Sequence, residues 1–284
     1  MGDILEVKES SSDYRFSRRH NRSADKCHLT LTLRTVNEPR MQKLPKEKFA
    51  LIVPTLNEAG NIESVMRQVQ DALEPLDLDY ELIVVDDGSS DGTPEIVRAW
   101  SRSDSRVRLL SRHNQRGLAG AVIHGWQHSE AGLLGVIDAD LQHPPRLLPE
   151  LLAAIAGGCD IAIASRYAAK DGVRDWNPVR AAISRVSTWV TLPLQRRDLR
   201  IKDPMSGFFV VRRRAIAGLC FETKGFKLLL EILVRGRIRS AREIPFQFGV
   251  RHAGKSKAGA AVAFYYLQLL GKLSRDLILR PSSQ

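Results

Sequence analysis

Cysteine is scarce in this chain: Cys27, Cys159 and Cys220 are the only three in 284 residues. An odd, widely spaced set makes neither a disulfide framework nor a zinc site, so a reducing compartment is the simplest expectation. Long apolar runs are missing as well. No stretch approaches the ~18–20 uninterrupted apolar residues of a spanning helix. The opening Met1-Gly2-Asp3-Ile4 lacks the charged-then-apolar order of a secretory signal, and Glu6 stands where a myristoylation signal needs Ser or Thr. After the first predicted strand there is no Gly-x-Gly-x-x-Gly, which argues against a nicotinamide-dinucleotide domain, and no P-loop occurs. Repeats and low-complexity tracts are absent from the core.

What is present suits a globular chain. With 43% hydrophobic and 26% charged residues, it can bury a full core as one large or two small domains. The net charge of +11 is unevenly spread. Residues 49–165 hold 8 Lys and Arg against 17 Asp and Glu; residues 166–284 hold 24 against 8; residues 1–48 hold 11 against 7. An acidic half suits a bound cation and a basic half suits an anionic partner. Nucleic acid and membrane phosphate are both anionic, and charge alone does not choose between them.

Along the chain, residues 1–47 read as a disordered basic extension with one short strand at Leu29-Thr30-Leu31-Thr32-Leu33. From Phe49 the pattern alternates. Apolar runs predict strands at Phe49–Val53, Leu82–Val85, Val107–Leu110, Leu133–Ile137 and Asp160–Ala164. Between them, helical spacing predicts Glu58–Leu73, Pro94–Trp100 with Thr93 as its cap, Leu118–His128 and Arg146–Ala156. Beyond Arg166 the expected elements are a helix over Val179–Leu192, a strand at Gly207–Val211, a helix over Phe226–Arg235, a strand at Ile244–Val250 and a helix over Ala258–Leu279. Such alternation predicts an α/β domain over residues 48–257, with a mostly parallel sheet and helices on both faces. A C-terminal amphipathic helix over 258–284 completes the chain. Ligands on such sheets bind outside the carboxyl ends of the strands.

Each acidic motif falls at such an end. Asp138-Ala139-Asp140 follows the apolar run Leu133–Ile137. On an extended backbone residues two apart point the same way, about 6.5–7 Å apart. Two carboxylates so placed, with Gln142 next on that side, could hold a hard divalent cation whose other positions go to water and substrate phosphates. Pro54-Thr55-Leu56-Asn57-Glu58 closes the first strand, and Asp86-Asp87-Gly88-Ser89-Ser90-Asp91-Gly92-Thr93 the second. Acids there can accept hydrogen bonds from a base edge and from ribose hydroxyls; read alone, the second motif is equally a turn with a helix cap. His143 reads as loop packing or as a ligand. His124 and His128, without a Glu or third ligand beside them, read as surface or packing residues. Arg212-Arg213-Arg214 reads as a solvated or membrane-facing run, and Cys159 and Cys220 as core.

Taken together, PTLNE, VVDDGSSDGT, GLAGAVIHG (Gly117–Gly125), DADLQHPP (Asp138–Pro145) and ASRY (Ala164–Tyr167) resemble the family 2 glycosyltransferases of the GT-A fold. Within that family the chain is similar to the dolichol-phosphate (polyprenol-phosphate) mannose synthases, over roughly residues 48–258. The resemblance implies transfer of mannose from GDP-mannose to a polyprenyl or dolichyl phosphate, with inversion, release of GDP and use of Mg²⁺ or Mn²⁺. By position it implies that Pro54, Leu56, Glu58, Val85, Asp87, Asp138, Ala139, Asp140, Arg166, Arg251 and Lys257 bind the donor. Asp138, Asp140 and Gln142 would hold the metal. Asp140, Arg166, Arg180 and Ser184 would be the catalytic set, with Arg180 and Ser184, four apart on one helix face, gripping the lipid phosphate. Leu56 departs from the family's usual aromatic residue, so base stacking there gives way to aliphatic packing.

The same resemblance implies a peripheral location on the cytoplasmic side of an anionic membrane, with a membrane-anchoring subunit among the partners and no nucleic acid, for which no motif is visible. Val262, Tyr265, Tyr266, Leu269 and Leu273 line one side of the C-terminal helix, and Trp189 lies in a second amphipathic element, Val186–Leu194; each reads as lying at headgroup level or as packing on the core. Two alternatives stand beside this. One is a family 2 transferase using a UDP-sugar such as UDP-glucose on polyprenyl phosphate or a saccharide, although the Gln-x-x-Arg-Trp of polysaccharide synthases is absent. The other is a non-enzymatic membrane- or nucleic-acid-binding module, against which the intact acidic motifs argue.

Overall fold

The computed structural model describes residues 46–279 apart from 114–115, 170–177, 222–226 and 248–259. Among the described residues seven strands form one sheet: β1 (Phe49–Thr55), β2 (Tyr80–Asp86), β3 (Val107–Ser111), β4 (Leu133–Val136), β5 (Ile161–Ser165), β6 (Phe209–Arg212) and β7 (Ala241–Pro245). Their order is β3-β2-β1-β4-β6-β5-β7. All run in one direction except β6, which is antiparallel to both of its neighbours. The helices are α1 (Ala59–Leu73), α2 (Thr93–Ser103), α3 (Leu118–Gln127), α4 (Leu148–Ala156), α5 (Pro178–Val190), α6 (Arg213–Ile216), α7 (Leu228–Arg235) and α8 (Ala260–Leu279).

β1 shows why the sheet is covered on both faces. Its residues alternate sides, as strand geometry requires. Phe49, Leu51 and Val53 join a core with α1, α2 and α4, while Ala50 and Ile52 join a core with α3, α6 and α7. A strand buried on both faces must read as a continuous apolar run, which FALIV does. Burying each such side chain contributes roughly 1.5–3 kcal/mol. Pro54 is tolerated inside this strand for a local reason. The carbonyl of Ile52 accepts from Ile137 on the β4 side, and residues two apart point alike, so the N–H that Pro54 lacks would face a place where β4 pairing has ended.

A third apolar cluster fixes the C-terminal helix. Leu269, Leu270 and Leu273 of α8 pack on Leu230 and Val234 of α7 and on Leu194. Arg235 of α7 bonds both the fully buried Glu231 and Asp276 of α8. Leu269 and Leu273 therefore cover protein, which is the packing alternative rather than the lipid one for these two residues; the side chains of Val262 and Tyr265 lie outside the described residues. Among the described residues no helix is long and apolar enough to cross a membrane.

Four further expectations change. β7 is Ala241–Pro245 rather than Ile244–Val250, because this edge strand pairs through its backbone with β5 and leaves Ala241, Arg242, Glu243 and Pro245 only partly covered or exposed. Thr93 is the first residue of α2, not its cap, a place taken by Gly92 in the left-handed region at φ 89°. Arg212 and Arg213 are not a solvated run. Arg212 donates to the carbonyls of Cys159 and Ile155, and Arg213 to those of Trp126, Ser129 and Ala131, so each satisfies backbone groups at the end opposite the acidic motifs. Cys220 is exposed and Cys159 partly so, and neither is core.

Candidate active site

The carboxyl edge of the sheet collects three groups of residues. At the β1 and β2 ends, two loops brace each other. Asp86 accepts hydrogen bonds from Thr55 Oγ1 (3.0 Å), from the backbone N–H of Gly88 and Ser89 (3.1 and 2.8 Å) and from Ser89 Oγ. Asn57 donates its N–H to Ser89 Oγ and accepts from the N–H of Ser90, while Thr93 Oγ1 accepts from the N–H of Glu58. Asp91 accepts from Ala59 and Thr93; burial alone would raise its carboxyl, but these bonds outweigh it and hold it below the usual range. Asp87 is buried, and both its oxygens meet Arg112 (Nε–Oδ1 2.7 Å, Nη2–Oδ2 2.9 Å), with the N–H of Gly117 as a third donor. Pairing of a buried carboxylate with a guanidinium fork rigidifies this corner.

Of the residues expected to bind a donor here, Leu56 and Glu58 are partly exposed. Pro54 and Val85 are buried, and Val85 belongs to the core beneath α3. At these two positions the backbone is therefore the part within reach of a ligand. Ala139 is similarly buried.

The centre of the edge is the acidic turn after β4. β4 stops at Val136, and Ala139 and Asp140 lie in a turn rather than on an extended strand, so strand alternation does not relate the side chains of Asp138 and Asp140. The turn is tight enough to put Leu141 at φ 59°, a left-handed conformation that costs a side-chain-bearing residue about 1 kcal/mol or more. Asp140 Oδ1 accepts the N–H of Gln142 (3.1 Å), and the Gln142 side chain is itself buried. Gly207, from the loop entering β6, lies directly on Asp138: a Cβ at Gly207 would sit 2.4 Å from Asp138 Oδ2. His143 is buried between Phe208 and Phe246, with Nδ1 3.5 Å from Asp138 Oδ2. Burial, reinforced by the charge of Arg166, pushes its imidazole down to about 3, so it stands neutral beside the acids.

Among the described residues no three His, Cys, Asp or Glu side chains converge as a complete metal cage. Asp138 and Asp140 supply oxygen donors of the kind that bind hard cations, and Mg²⁺ is commonly held by one or two carboxylates with its other positions left to water and phosphates.

The third group lies at the β5 end. Arg166 donates Nε, Nη2 and its backbone N–H to Asp203 (2.7, 2.7 and 3.0 Å), and Asp203 has no exposed surface. Burial lowers the guanidinium's affinity for its proton, but the bonds and charge of Asp203 more than reverse this, so Arg166 stays charged. The next residue, Tyr167, donates its hydroxyl to Ser184 Oγ on α5 (2.6 Å), and its ring lies 5.7 Å from the Arg166 guanidinium carbon. The edge thus joins Arg166 to Ser184 through adjacent side chains. The Arg180 side chain, Arg251 and Lys257 lie outside the described residues. Sequence reading missed Arg112 and Asp203. For Arg112 the available signal was its place one residue past β3; Asp203 stands in no motif.

The residue pattern of glycosyl transferase family 2 matches residues 50–219. The dolichol-phosphate mannosyltransferase of Pyrococcus furiosus is 39% identical over 228 residues, which cover 80% of this chain but 64% of that protein. This chain therefore spans less than two thirds of that relative's length. The enzymes of the same name from Mycosarcoma maydis and Saccharomyces cerevisiae are 34% and 35% identical, with 79% and 86% of their lengths covered. Among solved structures, glucosyl-3-phosphoglycerate synthase from Mycobacterium tuberculosis, in complex with Mn²⁺, uridine diphosphate and glucosyl-3-phosphoglycerate, superposes with a TM-score of 0.59 at 21% identity, covering 83% of this chain and 82% of that one. Its complex with Mg²⁺ and uridine diphosphate gives 0.56 at 21% identity, with 83% and 81% covered. At that identity the likeness speaks for the fold.

Proposed function

The chain belongs to glycosyl transferase family 2, and from that premise we propose that it transfers mannose from GDP-mannose to a dolichyl or polyprenyl phosphate with inversion at the anomeric carbon. The observation that carries this reading is the single edge that holds a carboxylate pair, Asp138 and Asp140, beside an arginine that Tyr167 links to Ser184. Relatives named for the same reaction support it.

In this reading Asp138, Asp140 and Gln142 would hold Mg²⁺ or Mn²⁺, and the backbone N–H of Gln142 also braces Asp140. Bound there, the cation supplies Lewis-acid neutralisation of the leaving diphosphate. The braced loops after β1 and β2, with Leu56, Glu58 and Asp87, seat the nucleoside, with Pro54, Val85 and Ala139 contributing main chain. Arg251 and Lys257 complete the donor site. The acceptor phosphate oxygen is already anionic at neutral pH, so it attacks without a protein base. The new bond forms to the anomeric carbon while the bond to the diphosphate oxygen breaks, and its electron pair leaves on GDP. Arg166, Arg180 and Ser184 hold the two phosphates close despite their repulsion.

The lipid nature of the acceptor has its own support. Trp189 is 71% exposed and Val186 59%, both on α5, the helix that carries Ser184, and Leu267 on α8 is 65% exposed. The hydroxyl of Tyr266 donates to Ser187 O (2.5 Å), joining α8 to α5 beside these residues. Exposed apolar side chains of this size suit an interfacial position on the cytoplasmic face of an anionic membrane. A membrane-anchoring subunit would strengthen that attachment.

One experiment tests the whole reading. Purified protein is mixed with Mn²⁺, vesicles containing polyprenyl phosphate and, in separate arms, GDP-mannose, UDP-glucose or other nucleotide sugars; released nucleotide and co-sedimenting protein are both measured. Release of GDP alone, dependent on the lipid phosphate, is the expected result. Release of UDP, or none at all, would overturn it.

Gly207→Ala follows from the contact with Asp138. The added methyl forces the carboxylate aside, and a misplacement of about 1 Å can cost on the order of 100-fold in rate. Turnover should fall by about that factor and Mn²⁺ affinity with it, while circular dichroism stays unchanged. Wild-type Mn²⁺ affinity in this variant would remove Asp138 from the cation.

A further inference from the structure

We infer that His124 and His128 form a second metal site, separate from the acidic turn, for a nitrogen-seeking divalent ion such as Zn²⁺ or Ni²⁺. His124 lies in the last turn of α3 and His128 is the residue that closes the helix, so the pair shares one helix face. Their ring centroids are 4.1 Å apart and the planes are tilted by 43°. His128 is exposed and His124 partly so, and neither enters the proposed reaction. Spacing alone made them surface or packing residues. The structure adds that each ring lies against the other, with both open to solvent.

The hydrogen bonding fixes which nitrogen is offered. Nδ1 of His128 lies 2.8 Å from the carbonyl oxygen of His124. A carbonyl oxygen only accepts, so Nδ1 carries the proton and Nε2 keeps its lone pair. A ring held in this way, with its other N–H on a backbone carbonyl, is the usual setting of a metal-bound histidine. His124 is neutral as well: burial lowers its affinity for a proton, and His128 and Arg112 lower it further against the opposing pull of Asp87. Two neutral imidazoles thus stand side by side, and imidazole suits Zn²⁺ and Ni²⁺ where the carboxylates of the acidic turn suit Mg²⁺. A cation is also favoured at a helix C-terminus, where the last carbonyls leave partial negative charge. Arg108 donates to the His128 carbonyl, but its guanidinium is already paired with Glu81 at 2.6 Å, which offsets its repulsion. Among the described residues no third His, Cys, Asp or Glu converges here, so water completes the coordination. An ion at this place clamps the closing turn of the helix whose other end presents the Gly117 N–H to Asp87.

The test is a Zn²⁺ titration of the full chain by calorimetry, in excess Mg²⁺, which engages carboxylate oxygens and leaves imidazole free. Wild type, His128→Asn and His124→Asn are compared, and nitrogen-resolved NMR spectra of the histidine rings are recorded alongside. In the wild type, Zn²⁺ should shift the signals of both rings, moving Nε2 of His128 while its Nδ1 keeps the proton. Either substitution should weaken this binding by roughly 10- to 100-fold or more, since loss of a mere outer-shell partner already costs that much. His128 is exposed, so His128→Asn keeps the fold, and circular dichroism checks it. Every other histidine is retained in both variants, so Zn²⁺ bound elsewhere persists in them. Unchanged Zn²⁺ affinity in His128→Asn would overturn the site, and so would ring signals of His124 and His128 that stay put at saturating Zn²⁺.

Discussion

Asp140→Asn is expected to leave the fold intact and to reduce metal-dependent turnover by roughly 100- to 1,000-fold, the loss of several kcal/mol of charge stabilisation. The substitution is nearly isosteric. The amide oxygen of Asn can still accept the N–H of Gln142, as Asp140 Oδ1 does at 3.1 Å, so the tight turn that holds Leu141 at φ 59° survives. What disappears is the negative charge offered to the cation; a neutral carbonyl oxygen replaces it. Initial rates across a Mn²⁺ titration, with a thermal melt as the control for folding, measure the effect. Near-normal rates at limiting Mn²⁺ would show that the cation is held elsewhere.

Asp203→Ala should be the most destabilising single substitution at this edge. Asp203 is fully buried and takes three hydrogen bonds from Arg166, whose own side chain is only 12% exposed. Truncation leaves a buried guanidinium without its counter-charge, a change that costs about 3–5 kcal/mol. Arg166 would then move toward solvent or toward Asp138, and turnover should fall with stability. Asp198, in an exposed pair with Arg196, supplies the contrast: Asp198→Ala should leave the urea midpoint where it is. A midpoint for Asp203→Ala equal to that of the wild type would mean that the Arg166 pair is not what holds this corner.

The two substitutions also mark where sequence reading succeeds and where it stops. β1, β2, β4 and β5 were legible because parallel strands buried on both faces must be continuous apolar runs, and FALIV, LIVV and LLGV are such runs, whereas β3, an edge strand reading VRLLS, is only partly buried. β7 was misplaced because the pairing edge strand reads AREIP, whose polar residues are tolerated at a margin, while the apolar residues that attracted attention follow it. Asp138 and Asp140 were found by composition, but their geometry was not, since the backbone leaves the extended conformation two residues after β4. Asp203 was invisible for a different reason. It lies 37 positions from Arg166, and only the antiparallel return of the chain brings the two together. Arg212 and Arg213 look like surface charge in any window, because nothing local shows that carbonyls more than fifty residues away need donors. Helix α8 carries the same lesson about faces: an apolar stripe records that something covers it, and Leu269 and Leu273 turn out to be covered by α7.

The antiparallel course of β6 has a consequence for how such a protein can change over evolutionary time. β5 leaves the sheet at the carboxyl edge, and β6 enters at that same edge immediately beside it. Everything between them, including α5 with Ser184 and Trp189, begins and ends on neighbouring strands. Lengthening a segment whose ends are already pinned together adds only about 0.6 kcal/mol of closure entropy per doubling. The stretch from Arg166 to Phe208 can therefore change in length at little cost to the sheet, provided that its two ends keep the Arg166–Asp203 pair and the contact of Gly207 with Asp138.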